Sequence, residues 1–585
     1  MFAELSARSC FSFLRGASRP EELVDKAKEL GIAALAISDR DGLYGSVRAH
    51  TRAQEIGQRL IVSAELSLGL VCGSTERRVL PDPKGAAEPI VLNLLVENHR
   101  GYENLCRLLT LAHRDRPKGE SLLEAEWLAA HAEGLLVLVP MPQVVGDSST
   151  ATEQLLGVVR DVFPGRSFVA TYRHRDGHER ERERLAGRWA ARYGMPIIAT
   201  ARALFHERER KSLRDVLHCI RRGLTLDQAG TELLANQEAE LRSPAQMQRL
   251  FYDQLAWVER TVEVASSLLF SLNELQYRFP CTLSPGETAD EKLRRLSLLG
   301  LEVRYPSAVP NSVAEQVQKE LLLIQKLQMA SYFLSTWEVV EMARRRRILC
   351  QGRGSAANSA VCYALGITAV DPARSNLLFE RFMSEERAEP PDIDIDFEHE
   401  RREEVIQEIY EHYGRERAAM VSEVICYRGK SALREVGKVF GLSLEQVERL
   451  SRTITHWDPA EVPAERLKEM GFDPEDARVR QILKLAKELE GMPRHLSIHV
   501  GGFVVSATPL FEVAPIEPGR MPGRTVVPWD KDDLETLGFF KIDVLGLGML
   551  TAIRKALLSI HADGGLRLPA SPSPSPGQEG QEGQE

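Results

Sequence analysis

Short apolar runs, separated by segments whose apolar residues recur at helical spacing, set the rhythm of the first part of the chain. The runs predict strands over 2–5, 32–37, 60–66, 91–96, 134–139, 167–171 and 196–200. Ser18-Arg19-Pro20-Glu21 has the form of a capping-box start, opening a helix that reaches Glu29 and stops at Gly31. Residues 45–56 read as the next helix. Repeated strand–helix units over about two hundred residues predict an α/β barrel or a layered parallel sheet. Ligands in such folds gather at the C-terminal ends of the strands, where Ser6, Arg8, Asp39, Asp41 and Glu65 fall.

From 207 to about 304 the pattern turns helical, with periodicity clear over 242–274 and a linker over 277–285. Arg208, Arg210, Lys211, Arg214, Arg221 and Arg222 are interleaved with Glu207, Glu209 and Asp215, which favours a solvated helix face. Two amphipathic helices occupy 320–343, and 348–350 is a short apolar strand. Further on, 401–413 reads as a helix, 418–427 as a strand and 442–489 as helical. The helix over 430–440 carries Lys430, Arg434 and Lys438 at i, i+4, i+8, so the three cations share a face. After Ala562 the chain becomes Pro-Ser and Gly-Gln-Glu repeats, a composition that buries no core and predicts disorder.

Two stretches depart from core-and-surface patterning. Over 392–397, acidic and apolar residues alternate strictly. On a strand, Asp392, Asp394 and Asp396 then project one way while Ile393, Ile395 and Phe397 pack the other way. Three carboxylates on one face repel unless cations sit among them. Mg²⁺ takes carboxylate oxygens together with substrate phosphates, and two such ions about 4 Å apart clamp an in-line phosphoryl displacement. Upstream, Gln351-Gly352-Arg353-Gly354-Ser355 joins the strand over 348–350 to a helix that begins near Ser359 and ends at Gly366. Strand, glycine turn and helix N-terminus make an anion site, to which Arg353, Ser355 and Ser359 add donors. No Lys-Ser/Thr follows the second glycine, so this is not a Walker A loop. The buried strand over 539–546 adds Lys541 and Asp543 on one face, an expensive pair to bury without purpose.

Composition narrows the class. With 43% hydrophobic and 27% charged residues, 585 residues make a multidomain globular chain. A net charge of −9 gives no general affinity for nucleic acid, so contacts must come from local patches. One such patch is 341–354, with five arginines against one acid, which serves either as a solvated helix end or as a phosphate attractor. Eight scattered cysteines without a C-x-x-C pair predict free thiols in a reducing compartment. No apolar run is long enough to span a bilayer, and the N-terminus lacks a signal-peptide plan, so a cytoplasmic protein is expected.

Tyr332-Phe333-Leu334, GRGSAANS from Gly352 to Ser359, Asp371-Pro372, Leu378-Phe379-Glu380-Arg381-Phe382, PDIDIDF from Pro391 to Phe397 and Tyr413-Gly414 occur in one order. In these motifs the chain resembles the bacterial C-family DNA polymerases, the alpha subunits of DNA polymerase III. The variants Ala357-Asn358-Ser359 and Val361-Cys362-Tyr363 resemble the damage-induced, error-prone branch. The resemblance implies a DNA-directed DNA polymerase working in repair and translesion synthesis, with two Mg²⁺ ions on Asp394, Asp396 and Asp543. It implies nucleotide contacts from Gly352, Arg353, Gly354, Ser355, Ser359, Lys430, Arg434 and Lys541, with Asp392 and His499 in support. Primer–template DNA and deoxynucleoside triphosphates are the implied partners. A sliding clamp and other polymerase subunits are expected through a C-terminal region, fingers included, that this sequence lacks.

The first segment resembles the PHP domain that opens these subunits. Metal-binding members carry His-x-His, Thr-Asp-His and Asn-Asp-x-His, where this chain has Ser6 and Arg8, then Ser38-Asp39-Arg40, then Ala201-Arg202-Ala203-Leu204. Asp39 and Glu65 remain among Arg8, Arg40 and Arg202, which predicts salt bridges and a structural domain. His113 and His206 are expected to be ordinary histidines. The resulting fold class is α/β: a PHP-type βα barrel over 1–210, a helical connector over 211–285 and an α+β palm over 286–440. A helical thumb insertion over 441–492, the rest of the palm over 493–562 and a disordered tail over 563–585 complete the expected layout. Two rival readings are a catalytically silent DNA-binding or scaffold fragment served by a separate fingers-bearing chain, and a PHP-type phosphoesterase or 3′–5′ exonuclease.

Overall fold

The computed structural model describes residues 1–69, 90–143, 150–375, 383, 393–452 and 462–560. The chain forms two compact units. The first comprises Met1–Gln276, Ser422–Ser497 and Phe511–Leu537; the second comprises Tyr277–Val421, Ile498–Leu510 and Gly538–Glu585.

The first unit is built on strands β1 (Glu4–Ala7), β2 (Leu35–Arg40), β3 (Leu60–Gly69), β4 (Ile90–Val96), β5 (Leu123–Glu124), β6 (Leu135–Pro140), β7 (Ser167–Thr171) and β8 (Ile197–Ala199). Their order in the sheet is β1-β2-β3-β4-β6-β7-β8, with β5 against β3. Pairing is parallel except where β4 enters antiparallel to both β3 and β6. A wholly parallel sheet is therefore not what forms, because an apolar run carries no mark of its direction. The sheet curls until its ends meet: Arg8 N donates to Ala203 O at 2.9 Å, and Ala201 N donates to the buried Glu4 carboxylate at 2.7 Å. The strand expected over 2–5 is displaced to Glu4–Ala7, since Phe2 and Ala3 are buried as side chains ahead of the ladder.

The helical periodicity over 242–274 resolves into Pro244–Leu250 and Leu255–Ser267, broken around Phe251. Helices Lys211–Arg222, Gly429–Val439 and Ala477–Leu489 share a core in which Val216, Leu433, Val436 and Ile482 are buried. The middle helix buries Ala432, Leu433 and Val436 and leaves Lys430, Arg434 and Lys438 exposed, as its spacing requires. The short strands β13 (Glu517–Pro518) and β14 (Thr525–Val527) pair antiparallel in this unit.

The second unit places β10 (Asp394–Glu398) between β9 (Cys350–Arg353) and β15 (Ile542–Leu547). Strands β11 (Ala418–Cys426) and β12 (Pro493–Val505) each begin in one unit and end in the other. Helices Ala289–Arg304, Asn311–Lys326, Ala330–Arg345 and Arg402–Tyr413 supply the core with residues such as Leu296, Ile324, Phe333 and Ile406. Thr288 starts the first of these with a reciprocal capping box to Glu291. The segment expected as a linker is anchored: Tyr277 donates to Val505 O at 2.7 Å, and Phe279 stacks on Phe540 at 5.5 Å. No helix among the described residues is long and apolar enough to cross a membrane.

Candidate active site

One row of the second unit's sheet gathers candidate residues from three strands and a glycine from a fourth. Arg353 of β9 pairs with Asp394 of β10, Asp394 with Asp543 of β15, and Asp543 with Gly502 of β12. Asp396 lies two residues along β10 and shares the face of Asp394. On the opposite face Ile393, Ile395 and Phe397 are wholly buried. The alternation in the sequence thus becomes a strand with one acidic and one apolar side. Gly502 is a tight fit, because a Cβ there would stand 2.8 Å from His499 Nδ1 and 3.3 Å from Asp543 Oδ1.

Each carboxylate is met by a cation of the chain itself. Arg353 Nε lies 3.0 Å from Asp396 Oδ2, and its Nη2 is 3.7 Å from Asp394 Oδ2. Burial alone would lower the Arg353 guanidinium, but Asp396, Asp394 and Asp543 raise it. Lys541 donates to Asp543 Oδ2, while Asp543 Oδ1 is buried and accepts no hydrogen bond. His499 Nδ1 accepts from Gly502 N at 2.7 Å, which leaves the ring proton on Nε2. Among the described residues, no three carboxylate, imidazole or thiol groups are already gathered around one point as a metal cage. With Arg353 and Lys541 drawn in, the carboxylates are charge-compensated but not converged.

The loop differs from its expected form at two positions. Gly354 adopts φ +67°, the turn that glycine permits. The helix beyond it is short, Ala360–Ala364, and its N-terminus is filled by Glu320. That buried carboxylate accepts from Ser359 Oγ at 2.7 Å, Ala360 N at 3.0 Å and Val361 N at 2.9 Å. Ser359 is itself buried and caps Cys362 N. The expectation that Ser359 and the helix end cradle phosphate is therefore corrected: an internal anion holds that place. Gly352 N is likewise committed, donating to Ile367 O at 2.7 Å. Arg353, Gly354 and Ser355 remain as the loop's phosphate candidates. Glu320 was legible in one respect, since it interrupts the apolar stripe Val313, Val317, Leu321, Ile324 on the buried face of its helix.

Lys430 and Arg434 belong to the first unit. With Arg428 and Arg494 they line a cavity of about 510 Å³, and Arg434 also pairs with Glu448 at 3.0 Å. Asp392, Pro391, residues 378–382 and the tail over 563–585 lie outside the described residues.

The barrel mouth does not fit a metal. Glu65, buried, takes Arg8 on one side and Arg40 Nη1 at 2.6 Å on the other. Although burial pushes its carboxyl up, Arg8, Arg40 and Arg202 bring it down to about 2. Asp39 accepts from Ser9 N, Ser9 Oγ and Ser12 Oγ at 2.9, 2.7 and 2.7 Å. Leu204 is apolar, and Ser6 is the third residue of β1, two positions before Arg8. His113 is held between the carbonyls of Asp41 and Glu120, and His206 faces Ser18 Oγ at 2.7 Å.

The chain matches the family described as the bacterial DNA polymerase III alpha NTPase domain over residues 291–546, and the PHP domain family over 4–193. It is 43% identical to an error-prone DNA polymerase of Anaeromyxobacter sp. (strain K), covering 98% of this chain and 56% of that protein. It is 45% identical to error-prone DNA polymerases of Alkalilimnicola ehrlichii, covering 98% of this chain and 54% of that one, and of Methylococcus capsulatus, covering 95% and 51%. A PHP barrel joined to an alpha-type catalytic domain defines the class, the C-family of bacterial DNA polymerases. The chain belongs to that family, and its curated relatives are error-prone members. It spans about half the length of the relatives it matches.

Proposed function

We propose that the second unit carries the catalytic centre of a DNA-directed DNA polymerase that extends a primer 3′-hydroxyl on a template, in error-prone translesion synthesis. The observation that carries this reading is the single row Arg353–Asp394–Asp543–Gly502, with Asp396 on the same face. The donor set fits Mg²⁺: three hard oxygen ligands, one with a buried oxygen that accepts no hydrogen bond. Asp394, Asp396 and Asp543 would hold two such ions. When bound, these lower the pKa of the primer hydroxyl and neutralise the charge of the departing pyrophosphate.

The remaining roles fall to the chain's own side chains. Arg353 neutralises Asp394 and Asp396 before loading, and its planar fork then matches the triphosphate that replaces them as its partner. Lys541 performs the same exchange at Asp543. Gly354 gives the backbone its close approach, and Ser355 donates from the turn. His499, locked by Gly502 N, fixes the backbone opposite Asp543. Lys430 and Arg434 contact phosphate from the first unit. Primer–template DNA and deoxynucleoside triphosphates are the partners, met in the cytoplasm.

Primer extension with Mg²⁺, comparing the wild type with Asp394→Ala/Asp396→Ala, tests the reading. Extension by the wild type that the double substitution abolishes supports it. If both proteins are silent yet bind primed DNA equally, the chain is a binding fragment that needs another chain for catalysis.

A further inference from the structure

Strands β12 and β15 pair in two rows, Gly502 with Asp543 and Phe503 with Ile542. In an antiparallel ladder the next row would join Gly501 to Val544, but the register stops at Asp543. The backbones nevertheless stay close, since a Cβ on Gly501 would stand 2.7 Å from Val544 O. A side chain takes over from the ladder at this point. Arg402 Nε donates to Val544 O at 2.7 Å, and its Nη2 donates to Val500 O. Val544 follows Asp543 and Val500 follows His499, so one guanidinium holds the residue next to each.

The placement of Arg402 is not explained by its own helix. It is the first residue of Arg402–Tyr413, the end at which the helix dipole disfavours a cation. Nor does burial demand the contact at β12, because Val500 is 70% exposed and open to water. The turn that presents Arg402 is itself anchored. Glu398 accepts from Leu349 N at 2.6 Å, and Arg401 donates to the carbonyls of Arg347 and Arg346 at 3.1 Å each. On β15, Gly546 keeps the path of the side chain clear, since a Cβ there would stand 3.3 Å from Arg402 Cδ. A guanidinium presents its donors in a rigid fork, so two carbonyls bound to it are held at a set spacing.

We infer that Arg402 is a positioning residue of the candidate active site: it clasps β12 to β15 past the end of their ladder and so holds His499 against Asp543 in the arrangement that receives a divalent ion. This rests on the polymerase reading of the three carboxylates. Asp394 and Asp396 share a strand, which sets their spacing. Asp543 comes from β15, which β10 holds over five rows and β12 over two. The weaker side is therefore the one Arg402 reinforces. His499 Nδ1 lies 3.7 Å from Asp543 Oδ1, the buried oxygen that accepts no hydrogen bond. Without the clasp β12 frays from Val500, the imidazole leaves its place, and order lost at Asp543 has to be restored when the ion binds.

Mn²⁺ binding to the full chain, read by electron paramagnetic resonance, tests this without requiring turnover. Arg402→Gln and Arg402→Lys should each weaken Mn²⁺ by about tenfold, the lower end for outer-shell partners of a metal ligand. The pair separates position from charge. Were Arg402 acting as a nearby cation, Arg402→Gln would tighten Mn²⁺ and Arg402→Lys would leave it unchanged. Gly501→Ala, which drives a Cβ against Val544 O, should weaken Mn²⁺ in the same way and covers the case where the arginine variants fail to fold. Combined with Arg402→Gln, it should lose less than the product of the two single effects, because both undo one approach of the strands. A merely structural role would lower the melting temperature and leave the affinity of the folded protein alone. Wild-type or tighter Mn²⁺ binding in folded Arg402 variants would overturn the proposal while the metal reading stands. Wild-type binding no better than that of Asp394→Ala/Asp396→Ala would sink the metal reading itself, and the proposal with it.

Discussion

Asp394 and Asp543 are direct partners on adjacent parallel strands, although one follows the glycine loop and the other lies near the end of the described chain. Their neighbours in the same row are Arg353 on one side and Gly502 on the other. The row therefore combines two acids, a base and a gap. It is held flat by Ile395 and Val544, which pair in the next row and are fully buried. Charge on one face is tolerated because the other face is core.

In the proposed metal site Lys541 would compete with the divalent ion for Asp543. Lys541→Met should tighten Mn²⁺ binding, read by electron paramagnetic resonance, by about fivefold, corresponding to an ion pair worth about 1 kcal/mol. Asp543→Asn should weaken it. Equal affinities in all three proteins would show that Asp543 takes no metal.

Glu320→Ala removes the acceptor of two amides and one hydroxyl in a buried place. Each group left unsatisfied costs about 1–3 kcal/mol, so a total loss of about 2–5 kcal/mol is expected once the site relaxes. Urea denaturation checks this, and Glu320→Gln, which keeps one acceptor oxygen, should lose less. Primer extension should fall with stability, because the same helix end anchors the loop that carries Arg353.

Glu65→Ala leaves Arg8 and Arg40 facing each other around an empty space. Breaking such a buried ionic cluster costs about 3–5 kcal/mol, seen as a lower denaturation midpoint of the barrel-bearing unit. The folded Glu65 carboxyl is depressed to about 2, so its contribution is present above the ordinary glutamate range near 4.5. It is lost as pH falls toward 2.

Asp533 behaves in the opposite sense. Burial and the neighbouring Asp530 raise it from 3.8 to about 7, and burial raises Glu4 from 4.5 to about 7. A raised acid favours its protonated form in the fold, so stability from these groups is greatest below about pH 4. It declines as pH rises to about 7 and is level above that. Asp533→Asn mimics the protonated acid and should flatten part of that decline. Urea midpoints at pH 5 and pH 8 should differ less in the variant than in the wild type.

How far the chain could be read depended on whether a feature is local. Period-two alternation placed Ile393, Ile395 and Phe397 in the core before any neighbour was known, and the strand over 167–171 was bounded correctly by its own apolar run. Charged residues on a buried run likewise singled out Lys541 and Asp543. What failed depended on distant contacts. Glu320 meets Ser359 across 39 residues, and nothing near Ser359 announces that its hydroxyl and the following amides are already taken. The reversed direction of β4 is set by pairing with β3 and β6, not by its own composition. The four arginines from Arg344 to Arg347 read equally well as a phosphate attractor or a solvated end. Arg344 pairs with Glu341 on its own helix, a contact within reach of the sequence, whereas Arg346 goes to Glu408, 62 residues on.

The two units interleave along the chain, and this governs the order in which they can be finished. The barrel-bearing unit closes only when residues 511–537 have been made, after the first two of the second unit's three segments. The row of Arg353, Asp394, Asp543 and Gly502 waits longer still, because Asp543 is made last of the four. Domains ordinarily fold from the N-terminus as synthesis proceeds. Here a nascent chain stalled before β15 would hold the glycine loop and two carboxylates but lack the strand that brings the third. The metal chemistry proposed for these carboxylates would thereby wait until translation has passed the last strand of the sheet.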